Sequence, residues 1–213
     1  MHYRKKYIKG NIVHVCNKSI ANYNIFTDEI NSLRFLKTLI YYNNSSIKHC
    51  LSTYLRNKNI KEDILSINSK SLVKVIAFCI MQDHYHLLLK ILKDKILSKY
   101  ISNIENSFSR YFNCKFNRKG PLWQSRFKSI LVKNNNQLLH LTRYIHLNPT
   151  TSNLVDKPEK WTYSSYKEYT HDYYLKNFLR ELTIGNKNNY QKFCNDRIDY
   201  QRKLKLIKKH LLD

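Results

Sequence analysis

Apolar and polar positions alternate, cluster and recur along this chain in ways that predict most of its elements. Residues 11–17, Asn-Ile-Val-His-Val-Cys-Asn, are β-branched and partly alternating, which predicts a first strand. From Asp28 to about Tyr42, the apolar residues Ile30, Leu33, Leu36, Leu39 and Ile40 recur at helical spacing, with Thr27 or Asp28 as cap. Residues 72–81 form a near-continuous apolar run, as in a strand buried on both faces. Gln82-Asp83 then makes a tight turn into a strand from His84 to Ile91. A helix follows from Lys93 to about Phe112, striped by Leu97, Ile101, Ile104 and Phe108. Pro121 to Val132 reads as loop and strand. Asn134, Asn135 and Asn136 offer caps for a short helix through Leu138, Leu141 and Ile145. Pro149 is expected to end that helix, because the residue before a proline avoids helical angles.

The order strand–helix–strand–strand–helix–strand, then a helix, predicts an α+β fold. Its core is a ferredoxin-like split β-α-β-β-α-β unit, with an antiparallel sheet and helices on one face. The polar stretch 44–70 reads as an insertion or long loop, with a short helix possible at Leu51, Tyr54 and Leu55. Residues 1–170 are expected to form one domain, and 171–213 a separable helical extension, very basic near Lys203 to Lys209.

Charge changes the picture. The chain has 213 residues, with 38 Lys+Arg against 15 Asp+Glu and a formal net charge of +23. Hydrophobic residues at 42% exclude a disordered basic tail. Nucleic acid is the commonest partner for such a charge, because Lys and Arg displace counterions from phosphates. Richness in Lys, Asn, Ile and Tyr also follows from AT-rich codons, but that does not account for the scarcity of acids. The five cysteines are scattered and form no CxxC pair, so neither a disulfide framework nor a thiolate zinc site is indicated. No apolar run reaches the ~20 residues that span a bilayer, and no signal peptide is recognisable. A reducing cytosol is the expected compartment.

Two local patterns carry chemistry. His84-Tyr85-His86 places two imidazoles on one face of a strand, about 7 Å apart at the backbone, where they can converge on a metal. Tyr85, Leu87 and Asp83 are expected to point the other way. On the short helix, His140, Tyr144 and Asn148 lie four apart and share a face. Each pattern alone has a bland reading as surface or core residues.

Together with Gly120-Pro-Leu-Trp-Gln-Ser-Arg-Phe-Lys128, Arg143-Tyr-Ile-His-Leu-Asn-Pro149 and Trp161-Thr-Tyr-Ser-Ser-Tyr166, they form an ordered set. Over roughly residues 8–170 this set resembles the REP-associated tyrosine transposases, within the insertion sequence 200-like, single-tyrosine HUH superfamily. The resemblance implies cutting and rejoining of single-stranded or hairpin DNA by a cytoplasmic, nucleoid-associated bacterial protein, monomeric or homodimeric. It implies that His84 and His86 bind a divalent metal, Mg²⁺ or Mn²⁺, with Asn148 completing the site. It implies that Tyr144 is the nucleophile, leaving a 5′-phosphotyrosine and a free 3′-hydroxyl. Trp123, Arg126, Lys128 and Arg143 are candidate DNA contacts, and His140 a candidate for proton transfer. Gln82-Asp83 stands where the family often has Pro-Asn. Two other readings compete: a nucleic-acid-binding protein with a retired site, and a metal-dependent hydrolase without a covalent link.

Overall fold

The computed structural model describes residues 7–56, 71–170 and 187–203. Parts of the expected insertion and C-terminal extension, including residues 204–209 of its basic run, therefore lie outside the described residues. The α+β expectation holds. Four strands, β1 (Ile12–Lys18), β2 (Val73–Ile80), β3 (His84–Ile91) and β4 (Lys128–Leu131), form one antiparallel sheet in the order β2-β3-β1-β4. That is the strand order of a split β-α-β-β-α-β unit, and β3 is a central strand.

Helices α1 (Glu29–Tyr42) and α3 (Leu97–Lys115) pack against one face of the sheet. The α3 stripe is buried as expected, joined by Tyr100 and Phe112. The α1 stripe is not: Ile30 and Leu33 are exposed, and the buried face is centred on Phe35 and Leu39. The polar residues Asn31 and Ser32 turn inward because they hydrogen-bond the carbonyls of Ile25 and Phe26. That satisfies backbone groups an apolar side chain would leave unpaired. Asp28 is the cap, its carboxylate accepting from the Ile30 amide at 2.8 Å. A short helix α2 (Leu51–Arg56) occupies the start of the polar stretch.

Helices do not keep to one face. Helix α4 (Asn135–Thr151) covers the other, where Leu138 and Ile145 meet Ile76, Ala77, Cys79 and Leu88. A bulge in β2 between Val75 and Ala77 makes this possible. Val73 and Val75 before it, and Phe78 and Ile80 after it, face α1 and α3, while Ala77 and Cys79 face α4. Such a bulge resets the alternation of a strand, and both faces are apolar because both are covered.

Helix α4 is also not short. It runs 17 residues, and Pro149 lies inside its last turn rather than stopping it. A proline there removes only one amide bond two residues before the end, so the helix tolerates it. The Trp161–Tyr166 motif pins the outer edge of β2. The Ile80 amide donates to the Tyr163 carbonyl, the Ser165 amide to Phe78, and the Trp161 indole to the Ile80 carbonyl. These bonds close an edge that would otherwise template pairing.

Beyond it, α5 (Tyr166–Thr170) and α6 (Lys187–Asn195) pack on α4. The extension does not stand apart where it is described: Tyr190 and Cys194 are buried against Leu147, Tyr166 and Tyr169. Among the described residues, no helix is long and apolar enough to cross a membrane.

Candidate functional site

The α4 face of the sheet is apolar near β2 but polar where β1 and β3 meet. Cys16 pairs with His86 and Lys18 with His84 across the two strands, so all four side chains emerge on one face. His14 joins them two residues up the strand. Tyr85 and Leu87 point into the opposite core, as the alternation predicts. Cys16, Lys18, His84, His86, Gln124, Lys128 and Tyr144 line a cavity of about 280 Å³.

The two sequence-singled histidines stand edge to face, ring centroids 5.1 Å apart. His84 donates from Nδ1 to the Asp83 carboxylate, which also pairs with Lys18 at 3.2 Å. Asp83 therefore does not face away. It sits at the turn rather than within the strand, so alternation does not govern it. Burial opposes its charge, but the bonds from His84 and Lys18 prevail and hold its pKa at about 2. His86 is bonded at Nδ1 to His14 Nε2 at 2.9 Å, the two rings stacked 14° from parallel. Burial first, then His84 and His14, push the His86 pKa well below the usual value. Burial alone lowers His14 to about 4. Neutral imidazoles are what a metal requires.

The Tyr144 ring meets His86 edge-on at 5.7 Å on the cavity wall. The residue is 41% exposed. Burial, then Cys16, raise its pKa, while the Asn148 side chain pulls it back. Asn148 is buried one turn on, but it is not among the cavity-lining residues. Its amide Nδ2 donates to the Tyr144 carbonyl at 3.2 Å.

The other candidates divide. Lys128 lines the cavity from β4, and Arg126 is exposed on the loop before it. Trp123 is turned into the core, against Phe26, Phe35, Tyr85 and Phe108, its indole bonded to the Glu105 carbonyl. Its half-buried ring packs against the core. Arg143 lies 4.1 Å over the Phe193 ring and bonds His140 Nδ1 and the Phe193 carbonyl. Both therefore serve the α4–α6 contact and are not part of the cavity wall. The i,i+4 spacing put His140 on the tyrosine's face, but α6 occupies that end of it.

Sequence reasoning missed His14 and Cys16. Their i,i+2 spacing on β1 is the same signal that singles out His84 and His86 on β3. Among the described residues, the ligand atoms of His14, Cys16 and His86 are the group close enough to hold a metal, within 4.8 Å of one another. His84 lies outside that group but bounds the same cavity. Ring nitrogens beside open space fit an ion, whereas burial raises the Cys16 thiol away from the thiolate form that a metal takes.

A family model described as "Transposase IS200 like" matches residues 45–148. A Haemophilus influenzae protein assigned to the REP-associated tyrosine transposases is 30% identical over 103 residues, 44% of this chain and 58% of that one. The match thus spans little more than half the length of that curated relative. The solved structure of a REP-associated tyrosine transposase bound to a REP hairpin has the same fold. It superposes with a TM-score of 0.58 at 17% identity, covering 87% of this chain and 94% of the other.

Proposed function

We propose that this chain, a relative of the IS200-like and REP-associated tyrosine transposases, cuts and rejoins single-stranded or hairpin DNA through Tyr144. The observation that carries the reading is the meeting of Tyr144 with His86 at a cavity that His84 and Lys128 also line. The hairpin in the similarly folded structure supports hairpin DNA as the ligand class. The net charge of +23 supports a phosphate-rich partner.

In this reading His84 and His86 hold a divalent metal, Mg²⁺ or Mn²⁺. Asn148 is the expected oxygen ligand, because its amide nitrogen is committed to the Tyr144 carbonyl and only its oxygen is left to offer. When bound, the metal polarises the scissile phosphate and offsets its developing charge. Lys128 attracts the same phosphate from β4, and Arg126 the strand that leads to it.

The Tyr144 hydroxyl loses its proton to solvent, and its oxygen attacks phosphorus. An O–P bond forms to tyrosine as the P–O3′ bond breaks. The departing O3′ carries the electron pair and takes a proton from water, giving a 3′-hydroxyl. The 5′-phosphotyrosine keeps the phosphodiester's energy, so rejoining by a 3′-hydroxyl reverses the step without ATP. Tyrosine is a weak nucleophile near neutral pH, and burial raises Tyr144 further, so the reaction needs the phosphate charge neutralised first.

Incubation with labelled hairpin DNA from the gene's own flanks, with and without Mn²⁺, tests this. A denaturation-resistant protein–DNA band that requires Tyr144 is expected. Cleavage without an adduct would favour a hydrolase, and binding without cleavage a DNA-binding protein with a retired site.

A further inference from the structure

Both site histidines are gripped through the same ring atom by different partners. His84 Nδ1 is held by the Asp83 carboxylate and His86 Nδ1 by His14 Nε2. A carboxylate can only accept, so His84 carries its proton on Nδ1. For two uncharged rings sharing one proton between Nδ1 and Nε2, either can donate. Only one arrangement leaves His86 equivalent to His84. We infer that His14 is a positioning residue: it accepts the Nδ1–H of His86, fixing the tautomer that offers the His86 Nε2 lone pair to the cavity.

The geometry is that of a built contact. His14 is 8% exposed and His86 7%. The rings stack with centroids 5.2 Å apart, so His86 can neither flip nor swing without losing the bond. His14 comes from β1 and is not itself a cavity-lining residue. A metal-binding histidine commonly donates its second ring nitrogen to such a partner, which orients the ring and raises its basicity. Removal of the partner costs about 10–100-fold in metal affinity. The role rests on the metal reading of the preceding subsection, but the tautomer can be read in metal-free protein.

Two measurements test the inference. Long-range ¹H–¹⁵N spectra of the metal-free protein, with His86 assigned through His86→Gln, report which ring nitrogen carries the proton. The Nδ1–H form is expected for His86, changing to a mixture of tautomers in His14→Phe. Calorimetric titration with Mn²⁺ alone is expected to show about a tenfold or greater loss of affinity in His14→Phe. Substantial recovery is expected in His14→Gln, whose amide oxygen can accept the same proton. His14→Phe keeps the ring volume, and an unaltered melting temperature shows that the fold is kept.

An Nε2–H tautomer of His86 in the unaltered protein overturns the inference. So does unchanged Mn²⁺ affinity in His14→Phe when the unaltered protein binds the ion. A loss in Cys16→Ser as large as in His14→Phe also overturns it, because the ion would then sit among His14, Cys16 and His86. If the unaltered protein takes up no Mn²⁺, it is the metal reading of the site that fails, while the tautomer spectrum still decides what His14 does.

Discussion

The Tyr144 ring stands edge-on to the His86 imidazole, 5.7 Å between centroids and 81° between planes. This contact joins the helix on one side of the site to the central strand on the other. It sets the hydroxyl-bearing side chain on the wall of the cavity that His84, His86 and Lys128 also line. Tyr144→Phe removes one oxygen and leaves the ring, so packing against His86 should survive. The expected outcome is loss of the covalent DNA adduct with hairpin binding nearly unchanged, read by denaturing gels and a filter-binding assay. A normal adduct rate in this variant would place the nucleophile elsewhere.

The Asp83 carboxylate joins His84 to Lys18. Asp83→Asn keeps the size but can present its amide nitrogen to the ring, freeing His84 to rotate. Mn²⁺ affinity should fall by about tenfold or more, with a smaller change in melting temperature, measured by calorimetric titration and thermal unfolding. His84→Ala and His86→Ala should lose cleavage altogether, and Asn148→Ala less, since water can replace one weak oxygen ligand.

Acid should weaken the fold through two buried histidines. His146 is buried between the Tyr190 hydroxyl and the Ser165 hydroxyl, and burial lowers its pKa to about 3. His14 is lowered to about 4. An unfolded chain protonates both near ~6.5, so below that pH it binds protons the native state refuses. Stability is full above about 6.5 and falls as the pH drops toward about 4 for His14 and about 3 for His146. Denaturant midpoints at neutral and mildly acidic pH should show the decline, and His146→Phe should flatten it.

DNA binding should weaken steeply with salt. Each phosphate neutralised on single-stranded DNA contributes roughly −0.7 to the log–log slope. Arg126→Ala and Lys128→Ala should each make the slope shallower by about that amount, while Arg143→Ala should leave it unchanged, because Arg143 is spent on Phe193. Fluorescence anisotropy at several salt concentrations checks all three.

Tyr190 fills the space between α4, α5 and α6 and bonds His146 at 2.6 Å. Tyr190→Ala should cost about 3–5 kcal/mol in denaturant unfolding, as for other buried aromatic truncations. It should also lower cleavage, because the helix that carries Tyr144 loses its outer support.

The sheet, the α3 stripe and the histidine pair were legible because each rests on local spacing. Strand alternation sends His84 and His86 to one face whatever surrounds them. The inner positions of β2 are apolar because both faces are covered. The α1 stripe departs from its apolar periodicity because Asn31 and Ser32 are buried by bonds to the carbonyls of Ile25 and Phe26, which no periodicity of apolar residues reveals.

What the sequence determined by itself was the set of elements, the antiparallel core and the facing of residues within each strand, all consequences of backbone geometry over a few residues. The tertiary structure decided which elements meet. Pairing of β1 with β3 brought His14 to His86 across 72 residues of sequence, and Cys16 with it. Docking of α6 drew Arg143 and His140 off the site. Trp123 went to the core for the same reason: burial and hydrogen bonding are settled between distant segments, and a residue's type and spacing do not say which segment it will find.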